Sequence, residues 1–207
     1  PLALSGLRRR WGTPERRLPV TPEMLRWLRR NLKPQGSSSD SLVWAAVMLG
    51  FFFLLRASEY LDVGYQTPHR GMLGRHVQLL KEGRPWRIGD AGDPDEVHIT
   101  IQGSKTDIYN QGQSRNHFRV QNGDGSLGDL CVVQALQWFF MHFPDRQPGS
   151  VNQDLPLLTE SNGHLLPREA LQTVLQMAAR ALGFNEARLG SHSLRFGGAS
   201  ALWAAFH

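Results

Sequence analysis

Fourteen consecutive residues, Leu42 to Leu55, carry no charge, and whatever this chain becomes must be built around them. The run is too short to cross a bilayer, which needs about 20 apolar residues. It reads instead as a buried helix, capped by Asp40 or Ser41 and entered from a flexible loop over Gln35 to Ser39. A chain of 207 residues is long enough for one large or two small domains with a real core.

The run ends in Arg56-Ala57-Ser58-Glu59. An arginine where a buried helix emerges is costly unless it has a partner, because unpaired buried charge costs several kcal/mol. Glu59, three residues on, could hold it. The pair fits two readings equally: a structural ion pair, or an arginine aimed into a cleft and steadied by Glu59.

Shorter elements surround the run. Thr21-Pro22-Glu23 combines a capping hydroxyl, a proline at the first helical position and an acid in the first turn. The helix it opens carries Met24, Leu25, Leu28 and Leu32 on one side and ends before Pro34. Arg75 to Lys81 and Glu96 to Gln102 read as strands, with a long loop from Glu82 to Asp95 between them and a third strand at His117 to Val120. Ser104-Lys105-Thr106 lies between the second and third strands, where a lysine is either a solvated hairpin tip or part of a site. Further helices are expected at Leu130 to Phe143, started by Asp129, and at Arg168 to Leu182, opened by Pro167 and closed by Gly183.

The last stretch is Ser191-His192-Ser193-Leu194-Arg195-Phe196-Gly197-Gly198. In a helix from about Ser191, His192 and Arg195 share a face, and a guanidinium beside an imidazole suits a phosphate oxygen. The same spacing also fits a surface pair at a helix start. Gly197 and Gly198 cost about 1 kcal/mol each relative to alanine in a helix, so the backbone there should pack closely against something.

Net charge is +5, and only Lys33, Lys81 and Lys105 among the 23 basic residues are lysines. Arginine favours a polyanionic partner. Pro1 to Pro19 is irregular and basic, with Arg8, Arg9, Arg10, Arg16 and Arg17; it fits a solvated or import-type tail as well as a linker along a nucleic-acid backbone. The single cysteine, Cys131, allows no internal disulfide, which points to an intracellular protein. His69, His76, His98, His117, His142 and His164 show no metal-ligand spacing, so no metal is expected. The missing acidic metal cluster and phosphatase-type loop also disfavour a metal-dependent nuclease or a phosphatase. Pro1 is not a methionine and His207 falls within an apolar, helix-like run, so the chain reads as a fragment. Residues 1–19 are expected to be a linker or tail, and residues 20–207 a domain.

Three features thus fall in order: Leu54-Leu55-Arg56-Ala57-Ser58-Glu59, then Gly103-Ser104-Lys105-Thr106-Asp107, then His192-Ser193-Leu194-Arg195-Phe196-Gly197-Gly198. Together they resemble the catalytic domain of the tyrosine recombinases, the phage-type integrases and their relatives. The likeness is strongest to the eukaryotic mobile-element branch, the Crypton-like and DIRS-like enzymes, and runs from about Pro19 to His207. It implies a mainly helical α+β fold with a small antiparallel sheet. It also implies cleavage and rejoining of double-stranded DNA through a 3′-phosphotyrosyl link, with no cofactor. By that resemblance Arg56 and Arg195 stabilise the phosphate charge, Lys105 protonates the departing 5′-oxygen, and His192 assists proton transfer. Glu59 orients the cleft, while Ser104, Thr106 and the amino-terminal arginines touch DNA.

The chain departs from the family pattern in one respect. The family needs a nucleophilic tyrosine beyond the position of Arg195, and Tyr60, Tyr65 and Tyr109 all lie far upstream. The chain alone is therefore expected not to cleave DNA in cis. The alternative is a decayed or domesticated module that binds DNA without chemistry. The family assembles as a tetramer on DNA by exchanging a terminal helix, and a nuclear location would follow in a eukaryotic host. Membrane association is not expected.

Overall fold

A computed structural model describes residues 17–61, 71–102, 112–122, 124 and 128–206. Helix α1, Pro22–Asn31, starts where its sequence dictates: the Met24 N–H donates to the Thr21 hydroxyl at 3.2 Å, with Pro22 in the first turn. Met24, Leu25 and Leu28 form its buried face.

Helix α2, Ser38–Phe52, is the apolar run, buried on nearly every side. Both of its ends differ from the sequence reading. It begins at Ser38, capped by the Ser37 hydroxyl, which accepts from the Asp40 N–H at 3.2 Å, so the expected loop over Gln35 to Ser39 is partly helix. Successive serines offer equivalent caps, and the earliest is the one used. The helix stops at Phe52 rather than Leu55, because Leu54 turns into the left-handed region at φ 55°. A short helix, α3, follows at Ala57–Tyr60.

Strands β1 (Val77–Lys81), β2 (Arg84–Pro85), β3 (Glu96–Ile101) and β4 (Gln113–Phe118) form an antiparallel sheet in the order β2-β1-β3-β4. The expected loop after β1 thus contains a short strand. β1 begins at Val77, preceded by a 3₁₀ turn over Gly74–His76. The third predicted strand lies earlier than expected, at Gln113–Phe118 instead of His117–Val120, in register from Glu96↔Phe118 to Ile101↔Gln113. Its side chains are largely exposed on this outer strand, so it lacks the apolar alternation by which strands are read.

Val77, Leu79, Val97, Ile99 and Ile101 join the core, and helix α4, Val132–His142, packs on β1, β3 and β4 and on α2. Asp129 does not start α4: Cys131 is its cap, and Asp129 pairs with Arg26 at 3.6 Å. Helix α5, Arg168–Ala181, lies against α1 and is followed by Gly183 at φ 77°. Helix α6, His192–Phe206, lies against α2. The architecture is α+β and mainly helical, as expected. No helix among the described residues is long and apolar enough to cross a membrane.

Candidate active site

Where α2 ends, one carboxylate organises the chain. Glu59 Oε2 accepts the Arg56 backbone N–H at 2.7 Å, and Glu59 Oε1 accepts the Arg56 guanidinium at 2.9 Å. Glu59 is buried, while 41% of the Arg56 side chain is open to solvent. The pair is formed, and its arginine faces outward. The carbonyl of Phe52, the last residue of α2, and that of Phe53 just after it are also spoken for, since Phe52 O accepts from His117 Nε2 at 2.8 Å and Phe53 O from Arg115 Nη1 at 2.5 Å. These β4 side chains tie the sheet to the helix end that presents Arg56.

The glycine pair explains how α6 reaches this place. A Cβ at Gly197 would lie 2.0 Å from Val20 O, and one at Gly198 would lie 2.0 Å from Phe51 O. Only glycine lets the α6 backbone rest on the end of α2. The residues before α6 are held as firmly: the Val20 N–H donates to Ser193 O at 3.0 Å, and the Gly190 N–H to the Ser193 hydroxyl at 3.1 Å. Arg17 is exposed and donates to Leu189 O at 3.2 Å, fixing the strand before α1 to the approach to α6.

These contacts open a cleft of about 200 Å³ lined by Arg56, Ala57, Ser58, Arg168, Ser191 and His192. The structure therefore brings Arg56 and His192 to one cleft. His192 is exposed and meets Phe196 edge-on, with ring centroids 5.0 Å apart. Arg195 does not line the cleft. It stands one turn further along α6, half-buried, with no hydrogen bond or ion pair among the described residues. Arg8, Arg9, Arg10, Arg16, Ser104, Lys105 and Thr106 lie outside the described residues. Lys105 falls in sequence between the paired strands β3 and β4.

Arg168 is the lining residue that sequence reasoning missed. Pro167-Arg168 reads as an ordinary helix start, and only long-range packing places it opposite Arg56. Its Nε donates to the Ser191 hydroxyl at 2.9 Å. Beneath, the Tyr60 hydroxyl is buried without a hydrogen-bond partner among the described residues; burial pushes its pKa well up, and the Arg168 charge pulls the other way. Chemically the cleft offers guanidinium forks, an imidazole and hydroxyls, and the Glu59 carboxylate that holds Arg56 does not line it. That set is suited to an oxyanion. A larger apolar groove of about 590 Å³ lies on the other side of the α2 end, beside β4 and the later turns of α6.

No protein-family model and no curated protein matches the chain. Among solved structures, the chain superposes on the crystal structure of XerH site-specific recombinase bound to difH substrate in a pre-cleavage complex. The TM-score is 0.55 at 14% identity, covering 91% of this chain and 44% of that one. At that identity the likeness is one of fold, and this chain spans less than half the length of that protein.

Proposed function

We propose that this chain carries the phosphate-activating part of a site-specific DNA recombinase of the tyrosine type, from the eukaryotic mobile-element branch. The observation that carries the reading is the cleft itself: Arg56, fixed by Glu59, shares it with His192 in a recombinase-like fold. Transesterification of a phosphodiester adds negative charge to the non-bridging oxygens, and two fixed guanidiniums can hold it. Arg56 takes that part in the cleft, and Arg195, one turn further along α6 and outside the cleft lining, is the second guanidinium of the proposal, to be brought in by bound DNA. A tyrosine hydroxyl attacks phosphorus and gives up its proton with His192 assisting the transfer, the P–O5′ bond breaks, and the 5′-oxygen takes its proton from Lys105. The bond energy stays in the 3′-phosphotyrosyl ester, so rejoining needs no cofactor. The partner is double-stranded DNA, and the assembled enzyme is a tetramer on it.

No nucleophile is assigned within this chain. Tyr60 is 1% exposed, and Tyr65 and Tyr109 lie outside the described residues. The burial of Tyr60 keeps a second reading open, a module that binds DNA without chemistry.

The rejoining half-reaction separates the two readings, because it needs no tyrosine from the protein. A pool of nicked duplexes, randomised around the nick, would carry a 3′-(4-nitrophenyl) phosphate facing a free 5′-hydroxyl. The 5′-oxygen attacks phosphorus, the P–O(aryl) bond breaks, 4-nitrophenolate leaves, and the hydroxyl proton passes to Lys105, the reverse of its role in cleavage. The recombinase reading expects joined strand and nitrophenolate from the wild-type chain. It also expects joining to fall roughly 100-fold or more in Arg56→Ala and Arg195→Ala, the loss typical of a transition-state donor. Tight DNA binding with no joining would overturn that reading in favour of the binding module.

A further inference from the structure

The charges of the cleft are not equivalent. Arg56 already has its counter-charge in Glu59, at 2.9 Å. Arg168 has none: its hydrogen bond among the described residues is the one from Nε to Ser191 Oγ, and both of its Nη groups are uncommitted. None of the residues lining the cleft is acidic. Arg168 is therefore the lining side chain that gives the cleft its uncompensated positive charge.

Arg168 is exposed, but it is not a loose side chain. It is the first residue of α5, so its backbone is set by a 14-residue helix packed on α1. The Ser191 hydroxyl that holds its Nε belongs to a residue only 1% exposed, directly before α6. One hydrogen bond at Nε fixes the plane of a guanidinium while leaving the outer edge of its fork free, the arrangement suited to bidentate contact with a phosphate. Arg168 shares the cleft with Ala57 and Ser58, the first residues of α3, which locates the group at that junction. Two guanidiniums in a cleft of about 200 Å³ repel one another until an anion enters.

We propose that Arg168 is a further phosphate-binding residue of this cleft, its fork oriented by Ser191. The inference rests on the reading above that the cleft seats a DNA phosphate. The test is the affinity of the 207-residue protein for a 20-base-pair duplex across a potassium chloride series. The proteins compared are wild type, Arg168→Gln, Arg168→Lys, Arg195→Gln and Arg180→Gln. Each phosphate contact contributes about 0.9 to the slope of log affinity against log salt. Arg168→Gln is expected to lower the slope by about that amount and to weaken binding about eightfold at 0.1 M salt, with melting unchanged. Arg168→Lys keeps the charge and should keep the slope. Arg180, at the far end of α5 and paired with Glu186, should leave it unchanged when replaced. A slope lowered in Arg195→Gln but not in Arg168→Gln would overturn this proposal and leave the wider reading standing. Slopes unchanged in both would overturn the two together. Loss in both Arg168 variants would mark a merely structural arginine and overturn the proposal as well.

Discussion

The two sides of this molecule are joined to the cleft by opposite means. On the helical side, α6 rests backbone to backbone on α2 at Gly198 and on the segment before α1 at Gly197, with no room for a methyl group at either. On the sheet side, β4 reaches the end of α2 only through side chains, His117 to Phe52 O and Arg115 to Phe53 O. A close-packed contact defines position to a fraction of an ångström, whereas two long side chains define it through several rotatable bonds. Arg56, His192 and Arg195 come from the first kind of contact. Lys105 lies outside the described residues and falls in sequence between β3 and β4, the strands joined to α2 by the second kind. The groups proposed to bind charge thus come from the stiff half, joined by close packing, and the sheet forms the softer one, joined by side chains.

The largest expected effect breaks the stiff contact. Gly198→Ala places a Cβ against Phe51 O and should cost about 3 kcal/mol or more in a urea melt. Gly36→Ala, with open space around it, should stay within about 0.5 kcal/mol. Equal costs would show that the α2–α6 contact is not close-packed. A smaller effect is expected on the softer side. His117→Ala removes a hydrogen bond and edge-on contacts with Phe52 and Phe53, and should cost about 1–2 kcal/mol.

The smallest effect concerns pH and lies next to β1, away from the cleft. Burial, with Arg75 beside it, lowers the pKa of His76, and Asp154 opposes this only in part. The folded state then binds fewer protons there than the unfolded chain. Stability from this group is full above the ordinary histidine range near pH 6.5 and is lost as the pH falls toward the lowered folded value. His76→Gln should flatten the difference between melts at pH 7.5 and 5.5. An unchanged difference would assign the acid sensitivity to other groups.

The stiff half was the more legible in sequence. The apolar run, the Thr21 cap, the Arg56–Glu59 spacing and the glycine pair each express a local requirement, and each has the partner its chemistry asked for. The softer half was read poorly at its edges. Gln113–Phe118 carries polar side chains on exposed backbone, so its pairing with β3 leaves no period to follow. The left-handed turn at Leu54 is imposed by packing, since leucine has no preference for it. Arg168 was invisible for a related reason: its partner Ser191 lies 23 residues away, and no local pattern links them.

The most direct measurement is a crystal structure of this chain with a short DNA duplex. The account predicts a backbone phosphate in the cleft, its oxygens within about 3.2 Å of the Arg56 guanidinium, and His192 in reach of the same group. A duplex lying on another face, such as that of Arg26 and Arg30 on α1, with the cleft facing away from it, would contradict the account at its centre.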